Sequence, residues 1–483
     1  MERFARYQWL IALAVWIGVC VTLELLRFTP YGIDEAAARS LLINWTVAEQ
    51  IANPILVLGT PDFRSLLFLP MGAYWPGSMV AVKVFTAILF FLAVTMIYFW
   101  AKEKLSSEAA LIACGLLLIN PVSLQQINAL GPAPYLLLLF AVGVWADKRY
   151  RAANRQLAGW YFLQIFIALT AVSIHPLGLG YPLGLAWEWW RNPVDRRQQR
   201  QFFIGLGIAS LLILVLRFGW PQLEWLHNPL RSLGMLLVAD VPDAPTPLSA
   251  WWGALPVLAL AATLVFCWRD LSSTLWGRIL ITALVAGIIT ADAAWAMCAL
   301  LVILLFGFSK LLKATSGSGA SFVSQRGFAF GIIFILTTTS MIGDKNYRAV
   351  YARDGHSPQD RAIHLLASEM IDAEEAVHIG SQWPGRTMLA THQPSFPLPP
   401  ADRGEQLVSD AAALDYLIFN PYEPDNKALT DAISDATALF ETVSVDDRVV
   451  LIRVRKESPA PQDASAGSGD SNTSSAAPNG SGE

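Results

Sequence analysis

The chain has 483 residues, of which 54% are hydrophobic and only 15% are charged, and its mean hydropathy is +0.44. A soluble protein of ordinary composition carries about 25% charged residues. This composition excludes a soluble enzyme of several domains and a wholly disordered chain, because most of the chain must meet lipid or other apolar segments. The small formal net charge of −4 gives no indication of a nucleic-acid partner.

The predicted elements begin with membrane spans, each of which requires roughly 20 mostly apolar residues. The sequence predicts about eleven spans, at 8–26, 79–100, 108–124, 130–146, 158–174, 176–190, 202–219, 250–268, 279–291, 293–309 and 328–343. The first run is too long for a signal peptide and no small-residue cleavage site follows it, so we interpret it as an anchor. Residues 1–343 are therefore predicted to form a transmembrane domain, with 27–78 as its first external loop.

The four cysteines all lie inside these apolar runs, and none has a metal-binding spacing. They are Cys20, Cys114, Cys267 and Cys298. A disulfide framework or a zinc site would bring cysteines together at short, regular spacings. We interpret the four as reduced residues of the membrane core.

Lys and Arg are distributed unevenly between the loops that join the spans. With the N-terminus in the cytoplasm, the inner loops carry 17 of these residues and the outer loops carry 4. Cytoplasmic loops are enriched in Lys and Arg, so the pattern predicts an inner N-terminus and places the C-terminal part outside. The inner loops contain no Gly-rich phosphate loop, which argues against a pump with its own ATPase site.

The composition becomes that of a soluble domain at about 344–457, and residues 458–483 form a low-complexity tail. Helices are predicted at 359–371 and 426–439, and strands at 376–380, 414–419 and 449–454. The alternation of strands and helices predicts a small α/β domain, with Asp446 and Asp447 in a closing hairpin. The tail is rich in Ser, Gly and Ala and lacks Lys and Arg, so it is predicted to be disordered.

An acidic pair, Asp34 and Glu35, follows the first span and opens a predicted helix at 36–50. Acidic residues favour the first turn of a helix because of the helix dipole, so a structural role is one interpretation. A general base at the membrane surface is the other, because the pair lies just outside the lipid.

The position of this pair resembles the hallmark of the GT-C membrane glycosyltransferases. These include the protein O-mannosyltransferases, the aminoarabinose transferase of lipid A and the oligosaccharyltransferases. Further segments resemble the family in pattern, at 59–70, 81–87, 102–113, 120–121 and 170–179. The resemblance covers roughly residues 1–200 in pattern and the rest of the chain in layout. It implies a polytopic α-helical membrane protein of about eleven transmembrane helices with a small extracytoplasmic α/β domain.

One stretch departs from the family pattern. Many members carry a further acidic residue outside the third or fourth span, whereas residues 125–135 contain none. The outside-facing acids that could replace it are Asp62, Glu224, Asp240, Asp243 and Asp292. The resemblance therefore leaves open whether a divalent metal takes part.

The family resemblance also implies a polyprenyl-phosphate sugar as donor, whose lipid phosphate leaves with growing negative charge. Cationic groups stabilise such charge, and the candidates on the outer side are Arg64, Lys83, His175, Arg217 and Arg231. A charged residue inside a span usually faces a cavity or a partner, although Lys83 is also close enough to the surface to snorkel. The remaining histidines are scattered, and no metal cluster is predicted from them.

The sequence thus predicts a glycosyltransferase of the plasma membrane, the bacterial inner membrane, with a periplasmic C-terminal domain. Asp34 would take the proton of an acceptor hydroxyl, and Glu35 would orient the site or substitute for Asp34. The acceptor is a lipid, a glycan or a protein. Two alternatives stay open: a non-catalytic scaffold or lipid-handling subunit of envelope glycan assembly, and a secondary transporter. A carboxylate beside Lys83 and Arg64 in an outward groove favours the enzyme, whereas acids lining a central cavity favour a transporter.

Overall fold

A computed structural model gives the architecture of twelve stretches of the chain. It describes residues 2–22, 25–49, 62–104, 107–152, 158–193, 196–218, 258–290, 295–308, 358–370, 377–400, 406–446 and 449–456. The predicted span at 328–343, the loop at 220–249 and the tail at 458–483 lie outside the described residues.

Helices account for the regular structure described between residues 2 and 308. Helices α1 to α7 are Glu2–Thr22, Glu35–Glu49, Arg64–Tyr74, Met79–Lys104, Ser107–Ile119, Pro121–Asn128 and Pro132–Ala152. Helices α8 to α13 are Ala158–Ile174, Gly180–Arg191, Arg196–Phe218, Trp268–Ser273, Leu275–Thr290 and Trp295–Val302. A further helical stretch covers 258–266. A 3₁₀ turn at Pro176–Leu179 precedes α9, and a π-helical turn at Ile303–Gly307 follows α13.

Most of these helices overlap predicted spans, whereas α2 and α3 lie within the predicted first external loop, and most are shorter than a span requires. Among the described residues, only α4 is long and apolar enough to cross a membrane by itself. The pair α5 and α6 is a second candidate, bent by 49° where Asn120 caps a new helix that starts at Pro121. The predicted count of eleven spans is therefore not confirmed.

One apolar cluster extends through the helical part of the chain. Small residues let its helices approach closely, as between α9 and α12. A Cβ atom on Gly184 would lie only 2.7 Å from the Cα atom of Ile279. Two helix backbones can come this close only where a side chain is absent. Leu389, from the C-terminal part of the chain, is buried in the same cluster.

The described residues between 358 and 456 form a five-stranded sheet with helices on both faces. Helices α14 to α17 are Pro358–Glu369, Pro384–Thr391, Gln406–Ala412 and Lys427–Asp435. Strands β1 to β5 are Ile379–Ser381, Ser395–Pro397, Tyr416–Phe419, Phe440–Asp446 and Val449–Val454. The strand order is β2-β1-β3-β5-β4, in which β1 is parallel to β2 and β3 while β5 is antiparallel to β3 and β4.

The sheet is covered on both faces because apolar residues occupy successive positions of its central strands. Leu417 pairs with Ile452 and packs toward α16 and α17, whereas Ile418 pairs with Leu451 and packs toward α14. Neighbouring residues of a strand point to opposite faces, which explains the two separate clusters. The β4–β5 hairpin closes at Asp446, near the predicted turn.

Candidate active site

Asp34 lies immediately before α2 and caps its N-terminus. Its Oδ2 atom accepts a hydrogen bond from the N–H of Ala37 at 3.2 Å, which gives Asp34 the structural role that the sequence allowed. Its own N–H donates to the carbonyl of Ala129 at 2.7 Å, in the turn between α6 and α7. The side chain is still 38% exposed. No hydrogen bond to its second oxygen, Oδ1, occurs within the part of the chain that the structure describes.

Arg64, the first residue of α3, joins Asp34 to a second carboxylate, that of Asp62. Its Nη2 atom lies 2.9 Å from Oδ2 of Asp34 and 2.6 Å from Oδ2 of Asp62. Its Nε atom donates to the same Asp62 oxygen at 2.7 Å, and its Nη1 atom donates to the carbonyl of Leu130 at 2.8 Å. The side chains of Arg64 and Asp62 are buried. Asp34 is therefore the accessible end of an Asp34–Arg64–Asp62 cluster.

Asp62 is bound from several sides, which fixes the buried end of this cluster. Its Oδ1 atom accepts hydrogen bonds from the hydroxyl of Ser40 at 3.0 Å and from the N–H of Arg64 at 2.7 Å. Burial alone would lower the pKa of the Arg64 guanidinium, but the carboxylates of Asp62 and Asp34 raise that pKa above its ordinary value. Arg64 therefore stays charged at any pH at which the protein is folded.

The turn between α6 and α7 completes the cluster with backbone groups. Ala129 and Leu130 supply the carbonyls that bind the Asp34 N–H and Arg64. Leu130 holds a left-handed conformation, with φ of 53°, which is unusual for a residue other than glycine. This turn belongs to the 125–135 stretch that lacks the family's further acid. It contributes carbonyl oxygens to the site, and Asp62 contributes the second carboxylate.

Glu35 binds the C-terminal domain and is not part of the Asp34 cluster. Its Oε1 atom accepts hydrogen bonds from the N–H of Gly385 and from Nε of Arg39, both at 2.8 Å. Its Oε2 atom accepts from the N–H of Arg386 at 3.0 Å. Both oxygens are thus engaged in hydrogen bonds, and the role of a substitute base stays a prediction. Adjacent acids that cap two different helices cannot be recognised from their spacing.

The other predicted cations have structural contacts. Lys83 is fully buried, and its ammonium group donates to the carbonyls of Arg27 and Thr29. The side chain therefore does not snorkel, and it holds the segment that leads to Asp34. His175 caps the 3₁₀ turn, where its Nδ1 atom accepts from the N–H of Leu177 at 3.1 Å. Phosphate binding by Lys83 and His175 stays a prediction.

Arg217 lies near the end of α10, and its side chain is outside the described residues. Of the predicted phosphate-binding set, Arg64 is the residue that the structure shows in contact with Asp34. Its buried position suits it to hold the carboxylate.

The Asp34–Arg64–Asp62 cluster does not have the composition of a metal centre. Across the stretches that the structure describes, no group of three His, Cys, Asp or Glu side chains could hold a metal ion. The two carboxylates converge on a guanidinium, which would repel a divalent cation placed between them. The two carboxylates of this cluster therefore do not form a metal site by themselves. The other acids considered from the sequence, Glu224, Asp240, Asp243 and Asp292, lie outside the described residues.

Comparison with known proteins gives a match in structure alone. No protein-family model and no curated protein matches the chain. A solved structure that matches is the crystal structure of the Archaeoglobus fulgidus oligosaccharyltransferase tethered with an acceptor peptide containing the NVT sequon via a disulfide bond. The TM-score is 0.53 at 12% identity, over 92% of this chain and 73% of that one. An identity this low shows the fold alone. The chain therefore has a fold similar to that of this oligosaccharyltransferase.

Proposed function

We propose that the chain is an integral-membrane glycosyltransferase that moves a sugar from a polyprenyl-phosphate carrier to an acceptor hydroxyl on the outer face of the membrane. The proposal rests on the geometry of the Asp34 carboxylate. It is accessible, it is held at one oxygen by Arg64 and by the N-terminus of α2, and its other oxygen has no described partner. The similarity in fold to an oligosaccharyltransferase supports the reaction class. The donor class rests on the resemblance over residues 1–200.

The reaction needs a base positioned against the acceptor. The acceptor oxygen attacks the anomeric carbon while Asp34 takes its proton. The bond between that carbon and the phosphate oxygen breaks, and the lipid phosphate leaves with the bonding electrons. A single displacement of this kind inverts the anomeric centre. Arg64 and the α2 N–H fix the orientation of the reactive carboxylate. Little conformational entropy is therefore lost when the acceptor binds.

The leaving phosphate needs positive charge, which Arg64 is not free to supply. Its donors are directed at Asp62, Asp34 and Leu130 in a buried position. We therefore assign Arg64 to positioning Asp34, and we propose Lys83, His175 and Arg217 for the phosphate. Lys83 would have to exchange a backbone carbonyl for a phosphate oxygen when donor binds.

We propose a location in the bacterial inner membrane, from the distribution of Lys and Arg together with the resemblance over residues 1–200. We propose a cytoplasmic N-terminus and a periplasmic C-terminal domain, because the loops predicted inside carry 17 Lys and Arg residues and those predicted outside carry 4. The acceptor would then be a lipid, a glycan or a protein of the envelope.

The test is consumption of donor by the purified protein in proteoliposomes. A panel of polyprenyl-phosphate hexoses and pentoses, each labelled in the sugar, is offered together with lipid, glycan and peptide acceptors. We expect one donor to lose its label to an acceptor, with inversion at the anomeric carbon detected by NMR. Binding of a donor without transfer to any acceptor would indicate the non-catalytic subunit. Movement of an intact substrate across the bilayer would indicate the transporter.

A further inference from the structure

The C-terminal domain supplies a helix that has no N-terminal cap of its own. Helix α15 begins at Pro384 after Trp383, whose side chain makes no capping hydrogen bond. The first N–H groups of a helix need acceptors from elsewhere. Glu35 provides them for Gly385 and Arg386 from a position 350 residues away in the chain. A carboxylate is also favoured there by the positive end of the helix dipole.

Gly385 allows α2 and α15 to come this close. A Cβ atom on Gly385 would lie 2.8 Å from Cγ of Arg39 and 2.9 Å from Oε1 of Glu35. Real Cβ atoms do not approach other heavy atoms so closely. A side chain at 385 would therefore force Arg39, Glu35 or α15 to shift, which disturbs the hydrogen bonds that Glu35 accepts from Gly385 and Arg386.

A second contact joins the domain to the chain on the other side of Asp34. The Oδ1 atom of Asp360, in α14, accepts the N–H of Gly32 at 3.0 Å and also pairs with Arg386. The ring of Tyr31 lies 5.3 Å from the ring of His364, between centroids. We call these contacts and those of Glu35 the domain joint. The joint holds the chain two residues before Asp34 and one residue after it.

We propose that Glu35 is a positioning residue, through which the docked C-terminal domain sets the orientation of the Asp34 carboxylate. This inference rests on the proposed function. The N–H of Gly32 and the side chain of Glu35 are both bound to this domain, so the domain acts together with Arg64 and the α2 N–H in fixing where the base points. A displacement of about 1 Å at a reacting group can lower an enzyme's rate about 100-fold.

The first variant is Glu35→Gln, which keeps the size of the side chain and removes its charge. We expect kcat to fall about tenfold while KM for the donor changes less than about twofold, because orientation and not donor binding is affected. Hydrogen exchange of the amides at Gly385 and Arg386 should become faster. The matched control is Glu441→Gln, on the same domain at an exposed ion pair with Arg455, and it should leave both measurements unchanged.

A second variant, Gly385→Ala, disturbs the same contact from the other side. We expect a similar loss in kcat, and the double variant with Glu35→Gln should lose no more than the larger single effect, because both changes act on one contact. A wild-type kcat in Glu35→Gln despite faster exchange at Gly385 and Arg386 would overturn the inference. A lower kcat with unchanged exchange would overturn it as well.

The two readouts separate this inference from the proposed function. If the wild-type protein consumes no donor, the proposed function fails, and the positioning role fails with it. Exchange at Gly385 and Arg386 still shows in that case whether Glu35 caps α15. If the wild-type protein is active and the variants match it, the proposed function stands and the positioning role is wrong.

Discussion

At the scale of single residues, the site depends on a buried charge cluster with one accessible end. Arg64 is enclosed with Asp62, and both side chains are buried. Such a pair is costly to bury, but once it is buried, each partner depends on the other. The accessible Asp34 carboxylate uses the same guanidinium. The reactivity of Asp34 and the stability of the buried Asp62 carboxylate therefore both depend on the guanidinium of Arg64.

Removing the guanidinium should destabilise the protein strongly. We expect Arg64→Met to lower the free energy of unfolding by about 3–5 kcal/mol, because the carboxylate of Asp62 is left buried without a counter-charge. Thermal unfolding of the protein in detergent measures the change. Arg455→Met removes an exposed arginine paired with Glu441, and its cost should stay below about 1 kcal/mol. Equal shifts in the two variants would mean that the cluster is not a buried one.

The sequence indicated some of these residues and could not indicate their contacts. Asp34 was identified by its position after the first span, and Arg64 by its charge in an external loop. Their contact depends on how α2 and α3 pack. The separation of 30 residues between Asp34 and Arg64 in the sequence does not determine that packing. Lys83 shows the same limit, because a lysine within a span is expected to face some partner. Its partners are the carbonyls of Arg27 and Thr29, and only the three-dimensional path of the chain reveals them.

At the scale of elements, close helix contacts depend on small residues. We expect Gly184→Ala to lower the free energy of unfolding by about 1–3 kcal/mol, because its Cβ atom would meet the backbone of Ile279 at 2.7 Å. Gly205→Ala is the matched control, since nothing lies within 4 Å of the Cβ position in α10. That change should be neutral or stabilising by up to about 1 kcal/mol. The thermal unfolding midpoints of both variants measure these effects. A Gly184→Ala protein as stable as the wild-type protein would contradict the packing of α9 on α12.

The start of β3 should give the C-terminal domain a pH-dependent stability. Burial raises the pKa of Asp415, but hydrogen bonds from Lys456 and from the N–H of His378 outweigh it and lower the pKa below the ordinary value. A lowered pKa in the folded state stabilises the protein above the ordinary aspartate pKa, about 3.9. This contribution is lost as the pH falls through the lower, folded value.

Asp415→Asn tests this contribution. We expect the variant to unfold at a lower temperature than the wild-type protein at pH 7, and the difference to shrink once the pH falls below about 3.9 and to be smallest at about pH 2. Thermal unfolding of the full chain between pH 7 and about pH 2 is the measurement. Asp435→Asn, an exposed aspartate at the end of α17, should behave like the wild-type protein throughout. A difference for Asp415→Asn that is the same at every pH would contradict the assignment.

The sequence predicted the elements of this domain only where they are long or apolar. The predicted strands at 414–419 and 449–454 overlap β3 and β5, whose apolar residues are buried on both faces. Strand β2 and helix α15 were not predicted. β2 has three residues and ends in Pro397, and α15 depends on Glu35 for its cap. Tertiary contacts stabilise β2 and α15, so neither element has a recognisable pattern in its local sequence.

At the scale of the whole molecule, the fold was predictable because composition and topology agree. Long apolar runs, basic loops predicted to lie inside and an acidic pair after the first predicted span together indicated a resemblance to membrane glycosyltransferases, and the solved structure that matches is an oligosaccharyltransferase. The number of spans was not predictable in the same way. Prolines and short apolar runs divide the chain into helices such as α5 and α6, whose bend interrupts one predicted span.

The proposed orientation is tested by labelling from one side of the membrane. All four native cysteines are buried, so a new cysteine reports its own position. We expect Asp431→Cys, on the exposed face of α17, to react with an impermeant maleimide in intact spheroplasts. Glu103→Cys, in a predicted inner loop, should react only after the membrane is opened. The reverse pattern would contradict a periplasmic C-terminal domain.

The central claim is that Asp34 is the base of a sugar transfer. The measurement that tests it most directly compares transfer from the polyprenyl-phosphate donor by the wild-type protein, Asp34→Asn and the exposed control Asp431→Asn in proteoliposomes. Asparagine keeps the cap on α2 but cannot take a proton, so we expect transfer to fall at least 100-fold in Asp34→Asn, in line with the usual contribution of general-base catalysis. The control should match the wild-type protein. A folded Asp34→Asn protein that transfers sugar at the wild-type rate would contradict the account.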